Sequence, residues 1–90
     1  MREIIETTQF KRDYKKIAAS GRYSRKEFLT TVELLALDKP PPPKLRDHAL
    51  IGEWNGYREC HIRSDWLLIY QKSDNKLILV RTGSHSELFA

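Results

Sequence analysis

The chain has 90 residues, of which 40% are hydrophobic and 31% charged, and its formal net charge at pH 7 is +4. This composition predicts one globular domain, residues 1–90, and excludes a membrane-spanning helix, because no apolar run approaches the roughly 20 residues that a bilayer requires. The positive charge favours an anionic partner such as RNA, DNA, a ribosome or an acidic protein. A single cysteine excludes an internal disulfide, and no pattern resembles a clustered zinc site.

The first half of the chain predicts one strand followed by two helices. Residues 2–6 are strand-like, and Thr7 or Thr8 can cap a helix that stops at Gly21. Ser24 opens a second helix with capping-box spacing to Glu27, and this helix ends before the four prolines at residues 40–43. Each helix carries one apolar stripe, so we expect a helical hairpin with a shared buried seam. The stripes are Phe10, Tyr14, Ile17, Ala18 and Phe28, Val32, Leu35, Ala36.

The second half predicts a long loop and three strands. The loop covers residues 44–56 and contains His48, and the strands cover residues 57–63, 66–72 and 77–82. Short polar connections between the strands are typical of an antiparallel meander. The element order is therefore β-α-α-β-β-β. We expect an α+β domain in which a two-helix hairpin packs on one face of an antiparallel sheet.

The short turns also predict the register of the sheet. Pairing Arg63 with Trp66 and Lys72 with Leu77 places alternate residues on opposite faces. The face predicted to meet the helices contains Cys60, Ile62, Leu67, Ile69, Ile78 and Val80. The face predicted to be polar contains Glu59, His61, Arg63, Trp66, Tyr70 and Arg81, with Leu68 and Leu79 between them.

The predicted polar face favours chemistry on a phosphate. His61 and Arg81 are expected in one cross-strand row, roughly 10 Å apart, with Asp65 at the adjacent hairpin and His85 just past the last strand. RNA cleavage by its own 2′-hydroxyl needs a base, cationic donors for the phosphate and an acid for the leaving oxygen. An aromatic ring can stack a splayed base. These steps require no metal and no cofactor.

Three segments carry a resemblance to a known family. They are DHALIGEWNGYRECH at residues 47–61, DWLLIY at residues 65–70 and RTGSHSELF at residues 81–89. They are similar to the YafQ-type toxins, a branch of the RelE/ParE toxin superfamily. The resemblance covers essentially the whole chain in length and element order, and it is specific in the second half. It implies a RelE-like fold.

The resemblance implies a toxin of a type II toxin–antitoxin system. Such a toxin is a ribosome-dependent mRNA endonuclease that cuts translated mRNA in the A site, inhibits translation and is neutralised by a cognate antitoxin. The toxin alone is expected to be a monomer, and the neutralised complex a heterotetramer or larger. Charge favours an acidic, partly disordered antitoxin. The short, charged N-terminal segment predicts a cytoplasmic protein without a membrane partner.

The resemblance also assigns roles to individual residues. His85 is expected to be the general acid, Asp65 the general base or the residue that orients one, and Arg81 the group that stabilises charge on the phosphate. His48 and His61 would hold RNA phosphates or share proton transfer. Residues expected to contact the substrate are Trp66 and Phe89 through bases, and Lys11, Lys15 and Lys16 through an electrostatic footprint on RNA.

Other interpretations stay open at this point. The chain could be a ParE-like toxin that poisons DNA gyrase without catalysis, or an RNA-binding module that cuts nothing. Single residues also have ordinary structural roles: Asp65 suits a hairpin turn, Arg81 could pair with Glu59, and a tryptophan such as Trp66 is often a partly buried anchor. Cys60 is expected in the core.

Overall fold

The computed structural model describes residues 1–21 and 23–89. Its elements follow the chain in the order β1, α1, α2, β2, β3, β4, β5, α3. Their bounds are β1 Glu3–Glu6, α1 Thr8–Ser20, α2 Arg25–Ala36, β2 His48–Ala49, β3 Arg58–Arg63, β4 Trp66–Lys72, β5 Lys76–Gly83 and α3 His85–Phe89. Two single turns of 3-10 helix, Pro43–Leu45 and Gly52–Trp54, flank β2. Across the described residues, none of the helices is long and apolar enough to span a membrane.

The predicted α+β class is confirmed, with three corrections to the sheet and its surroundings. The sheet has five strands in the order β1-β5-β4-β3-β2. Strand β1 pairs with β5 in parallel, whereas a wholly antiparallel sheet was predicted. Strand β2 lies inside the segment predicted as loop, and the terminal helix α3 was not predicted. The reason is that elements of two and five residues carry too little periodicity to be recognised from sequence.

Both predicted helix starts are confirmed by side-chain caps. The Thr7 hydroxyl accepts a hydrogen bond from the backbone N–H of Phe10 at 3.1 Å, and the Ser24 hydroxyl accepts one from Glu27 at 3.3 Å. Helix α1 ends at Gly21, whose φ of +70° is a left-handed conformation that costs glycine little. These caps fix where each helix begins, and therefore which residues face the sheet.

The sheet is buried on both faces. The larger cluster joins α1 and α2 to one face of the sheet, and its fully buried strand residues include Cys60, Trp66, Leu68, Tyr70, Leu77 and Leu79. The opposite face has a smaller cluster built from Leu67, Ile69 and Leu88, with Leu50, Trp54, Tyr57 and Val80 packed against it. Helix α3 therefore covers the face that the sequence predicted to be polar.

Two register shifts explain this difference. The predicted pairs Arg63–Trp66 and Lys72–Leu77 are present at the turns. A shift between His61 and Arg63 then pairs His61 with Leu67, where Leu68 was predicted. A second shift, between Ile69 and Tyr70, pairs Ile69 with Arg81 in place of Val80. Each bulge adds a residue to one strand, and a slip of one residue exchanges the faces of all that follow.

The face assignments of β4, and those of β5 up to Val80, were consequently wrong. On β3 the assignments before the bulge were correct, but Arg63, predicted on the polar face, lies on the helix side and donates to Glu27 of α2 at 2.8 Å. Leu67, Ile69 and Val80 pack away from α1 and α2, and Trp66 and Tyr70 pack towards them. On β3, Cys60 lies in the helix-facing core, as predicted. Burial raises the pKa of its thiol from 9.0 to about 12, with smaller contributions from the charges of Asp47 and Glu59.

Candidate active site

Two histidines flank one buried carboxylate at the β2–β3 edge of the sheet. His48 lies opposite Glu59 in the strand pairing, and His61 follows Glu59 by two residues, so all three side chains share a face. Glu59 Oε1 lies 3.5 Å from Nε2 of His48 and 3.4 Å from Nε2 of His61. The Glu59 side chain is only 5% exposed, whereas that of His48 is 50% exposed. The exposed imidazole of His48 therefore lies against a buried carboxylate.

The other ring nitrogens of both histidines have carbonyl partners. Nδ1 of His48 lies 2.7 Å from the carbonyl oxygen of Arg46, and Nδ1 of His61 lies 3.2 Å from that of Ser64. A carbonyl only accepts, so each Nδ1 carries a proton and donates it. Nε2 is thus the ring nitrogen without a carbonyl partner in each histidine, and Glu59 Oε1 lies beside both Nε2 atoms.

The third histidine is positioned by Asp65 from the β3–β4 turn. Asp65 Oδ1 accepts a hydrogen bond from the backbone N–H of His85 at 3.0 Å. His85 is the first residue of α3, whose start is fixed by a reciprocal pair: Ser84 N–H donates to Glu87 at 2.8 Å, and Glu87 N–H donates to the Ser84 hydroxyl at 3.2 Å. The structure thus brings Asp65 and His85 together, and the His85 side chain is exposed to solvent.

An aromatic row extends from His85 over the smaller cluster. The centroid of the His85 ring is 5.1 Å from that of Phe89, and the Phe89 centroid is 6.2 Å from that of Trp54 in an edge-to-face arrangement. Trp54 in turn meets Tyr57 edge to face at 5.6 Å. Phe89 remains 36% exposed. A flat apolar surface is therefore available beside an exposed imidazole, as stacking of a base requires.

Arg81 is held by a carboxylate of α1. Its Nε donates to Asp13 Oδ2 at 2.7 Å, and Asp13 also accepts from the Thr82 N–H at 3.2 Å. The hydrogen bond from Arg81 to Asp13 raises the pKa of the guanidinium above its ordinary value. The predicted row of His61 with Arg81 was wrong: the second bulge places Arg81 in the row of Ile69 and Glu59. A free guanidinium at this position would require Asp13 to release it.

Trp66, predicted on the polar face, is buried in the larger core. It has no exposed surface, its ring stacks on Tyr23 with centroids 4.5 Å apart, and its Nε1 donates to the Thr82 hydroxyl at 2.9 Å. The bulge between His61 and Arg63 turns this residue inward. The expectation that Trp66 stacks on an RNA base is therefore corrected, because a buried indole offers no face to a ligand.

The three lysines predicted to contact RNA lie on exposed positions of α1. Lys16 approaches Glu87 of α3, with Nζ 3.7 Å from the carboxylate, so it borders the same end of the molecule as His85. Lys11 and Lys15 lie on the same helix and are equally open to solvent. Of the three lysines, Lys16 is the one that forms an ion pair with α3, the helix that begins at His85.

Glu59 is the site residue that the sequence prediction omitted. The predicted alternation already placed Glu59 on the face of His61, but its pairing with His48 depends on β2, which the sequence did not reveal. No group of three or more His, Cys, Asp or Glu side chains in the described residues is arranged to hold a metal ion. The described groups suit acid–base chemistry, with imidazoles as proton carriers and carboxylates beside them.

The chain is thus a small basic α+β domain. Its histidines and carboxylates gather along one sheet edge and the adjoining turn, and such groups suit acid–base catalysis. Residues 2–90 match the family model described as the bacterial toxin of type II toxin–antitoxin systems, YafQ. The chain belongs to this family. The resemblance seen in the sequence is confirmed by this match.

Relatives and solved structures agree with the assignment. The chain is 37% identical over 90 residues to the mRNA interferase toxin YafQ of Escherichia coli strain K12, covering 98% of this chain and 96% of that protein. The structure superposes on a copper-bound mutant toxin from Helicobacter pylori with a TM-score of 0.94, 38% identity and coverage of 99% and 100% of the two chains. It also matches the crystal structure of the E. coli DinJ-YafQ complex, with a TM-score of 0.87, 35% identity and full coverage of both chains.

Proposed function

We propose that this toxin is an endoribonuclease that cuts translated mRNA in the ribosomal A site. The single observation that carries the proposal is the arrangement of His48, Glu59 and His61 at one sheet edge, linked through the β3–β4 turn to Asp65 and His85. Relatives named as mRNA interferases match the chain over almost its whole length. Cleavage stops translation, and a cognate antitoxin prevents it.

The proposed reaction is transfer of the phosphodiester to the ribose 2′-oxygen. A base removes the 2′-hydroxyl proton, the oxygen attacks the adjacent phosphorus, and the bond from phosphorus to the 5′-oxygen breaks. An acid gives a proton to the leaving 5′-oxygen, so the products are a 2′,3′-cyclic phosphate and a 5′-hydroxyl. One proton leaves the substrate and one returns, and all of these steps use side chains of this chain.

His85 is proposed as the acid, because its exposed imidazole projects from a helix start that Asp65 and the Ser84–Glu87 pair hold in place. Asp65 is proposed as the base or as the residue that orients it. An exposed imidazole on a fixed backbone can reach a leaving oxygen without a large rearrangement. Asp65 binds the backbone N–H of His85, so its carboxylate does not occupy a nitrogen of the imidazole ring.

His48 and His61 are proposed to bind the scissile phosphate and to share proton transfer. With Nδ1 donating to a carbonyl, each ring has its Nε2 beside Glu59 Oε1, and this carboxylate orients both imidazoles. A protonated imidazole beside the phosphate offsets the charge that develops in the transition state. Glu59 is in this view a positioning residue, because the histidines cover it.

Arg81, Phe89 and the α1 lysines are proposed to bind the RNA. Arg81 would stabilise phosphate charge after exchanging Asp13 for a phosphate oxygen, which suits a guanidinium equally well. Phe89 would stack on a base beside His85. Lys11, Lys15 and Lys16 would add attraction for ribosomal RNA, which weakens with salt.

The partners of this toxin are proposed to be the ribosome with its mRNA and one antitoxin. The solved DinJ-YafQ toxin–antitoxin complex of E. coli contains a relative of the same fold. We propose a corresponding complex here, a heterotetramer or larger, with a monomeric free toxin in the cytoplasm. The net charge of +4 favours an acidic antitoxin.

The test is primer extension on a reporter mRNA in a reconstituted translation system, with and without ribosomes. We expect cuts that need both the ribosome and His85, so that His85→Gln lowers the cleavage rate by about 10²-fold or more. Ser86→Ala, on the same exposed helix, is the matched control and should cut normally. Intact mRNA with the wild-type protein would reject the nuclease.

Two outcomes would favour the other functions. Cleaved DNA trapped on gyrase, with intact mRNA, would indicate a ParE-like toxin. Inhibition of translation that survives His85→Gln but fails when the α1 lysines are replaced would indicate an RNA-binding module without catalysis.

A further inference from the structure

A cavity lies on the reverse side of the sheet edge that carries His48 and Glu59. Its volume is about 550 Å³, within the roughly 300–1,000 Å³ typical of small-ligand sites. The consecutive prolines of residues 40–43 form one wall, and β3 and β4 contribute Arg58, Tyr70 and Lys72 to the other. Nothing in the proposed cleavage chemistry uses this cavity.

The floor of the cavity is held in place by one buried carboxylate. Asp47, whose side chain is 8% exposed, accepts a hydrogen bond from Arg58 Nε at 2.9 Å and another from the Tyr70 hydroxyl. The Arg58 side chain is nevertheless 43% exposed, so its guanidinium is fixed on one side and open on the other. A preorganised cation of this kind binds an anion at little entropic cost.

The charge of the lining is positive. It contains the cations Lys39, Arg46, Arg58 and Lys72, against the carboxylates Asp38 and Asp47. Both carboxylates are already paired: Asp47 with Arg58, and Asp38 with Arg2 and with Lys72 at 3.0 Å. Among the described residues, the side chains of Lys39 and Arg46 have no hydrogen-bond or ion-pair partner. The cavity therefore has two cations in excess that no carboxylate of its lining neutralises.

The cavity is joined to the histidines by the backbone of β2. Asp47 and His48 are consecutive, as are Arg58 and Glu59, and consecutive strand residues point to opposite faces. The Nδ1 proton of His48 is donated to the carbonyl of Arg46, a residue of the cavity wall. Strand β2 is an edge strand of only two residues, so the path from one face of the sheet to the other is short there.

We propose that this cavity binds a phosphate group of the RNA strand as it passes from the histidine site over the β2 edge. The proposal rests on the proposed function and deepens it, because it names where a flanking nucleotide is held. Arg46 and Lys39 would bind the phosphate together with the exposed side of Arg58. Guanidinium groups suit phosphate oxygens, and the proline wall gives a ribose or base a rigid apolar surface.

The probe is a fluorescein-labelled 2′-O-methyl RNA dodecamer, which cannot be cut because its 2′-oxygens are blocked. Fluorescence anisotropy over a range of salt concentrations measures binding by the wild type and by the double variant Lys39→Gln/Arg46→Gln. For each phosphate that the variant no longer neutralises, we expect about fivefold weaker binding at about 0.1 M salt and a salt slope smaller by about 0.7. The control Arg12→Gln/Lys26→Gln removes the same charge from exposed helix positions and should change binding by less than about twofold.

Several results would overturn the cavity proposal. The first is that the wild type does not bind the dodecamer, and the second is that both double variants weaken binding equally. The third is that Lys39→Gln/Arg46→Gln lowers affinity only for an oligoglutamate peptide, which would indicate a protein partner. An unchanged unfolding midpoint is expected for Lys39→Gln/Arg46→Gln, because neither side chain has a partner to lose. The dodecamer cannot be cut, so its binding is measured independently of cleavage. If binding depends on the cavity but reporter mRNA stays uncut, the nuclease proposal fails and the cavity proposal stands.

Discussion

The backbone N–H of His85 donates a hydrogen bond to the carboxylate of Asp65 across the end of the sheet. One residue comes from the β3–β4 turn and the other from the first position of α3, so the bond ties the two segments that carry the proposed base and acid. The Asp65 carboxylate thus has a structural role, because it caps the start of α3, and a proposed role in catalysis.

The variant Asp65→Asn separates these two roles of Asp65. Asparagine caps a helix about as well as aspartate, so we expect the free energy of unfolding to change by less than about 0.5 kcal/mol. Loss of the negative charge should lower single-turnover cleavage on programmed ribosomes by about 10²-fold or more. If Asp65 only positions α3, Asp65→Asn will cut at the wild-type rate while Asp65→Ala is both less stable and less active.

Glu59 should be required for the proposed cleavage. Replacing it by Gln keeps the size and polarity of the side chain but removes the charge beside Nε2 of His48 and of His61. We expect the cleavage rate on programmed ribosomes to fall about tenfold or more, because both imidazoles lose the charge that orients them. Glu53→Gln, in the exposed 3-10 turn, is the control. An unchanged cleavage rate would contradict this role, and a loss that only follows the folded fraction would show that Glu59 acts in folding.

Trp66 should matter for stability rather than for base contact. Trp66→Ala is expected to lower the free energy of unfolding in urea by about 3–5 kcal/mol, as for other large buried aromatics. Trp66→Phe keeps a ring against Tyr23, loses the hydrogen bond to Thr82, and should cost about 1–3 kcal/mol. Its cleavage rate should follow the folded fraction. A stable but inactive Trp66→Phe would restore a direct role in binding RNA.

The buried thiol of Cys60 should make stability fall at alkaline pH. Its pKa is raised from 9.0 to about 12 in the folded state, so between these values the unfolded chain releases a proton that the folded chain retains. The contribution is fully present below about pH 9 and is lost as pH rises towards 12. Under reducing conditions, the wild type should lose about 1.4 kcal/mol more than Cys60→Ala for each pH unit in this window. Parallel decline of both proteins would show that other groups control the effect.

The helices and the order of the long strands followed from local signals in the sequence. Thr7, Gly21 and Ser24 mark the helix ends through capping chemistry, which involves only residues close in sequence. The turn pairs Arg63–Trp66 and Lys72–Leu77 were predicted for the same reason. Chemistry confined to a few neighbouring residues is what a single sequence expresses most directly.

The faces of β4 and β5 could not be predicted, because each depends on a bulge. The bulges at Ile62 and Val80 lie on strands that pack against helices distant in sequence, β3 against α2 and β5 against α1, so a local pattern does not reveal them. Strongly apolar strands made the problem harder, since Leu67, Leu68 and Ile69 are all fully buried and alternation carries no information there. The pairing of Glu59 with His48 was hidden for a related reason: β2 has only two residues.

The shortest strands of the sheet are also its outermost ones. Strand β1 has four residues and β2 has two, whereas the interior strands β4 and β5 have seven and eight. An open sheet edge is a template for pairing with other chains, and natural proteins guard against this with short or charged edge strands. Here Glu3 and Glu6 place two carboxylates on one edge, and the other edge is almost absent. Both edges are therefore poor templates for strand pairing between copies of this chain.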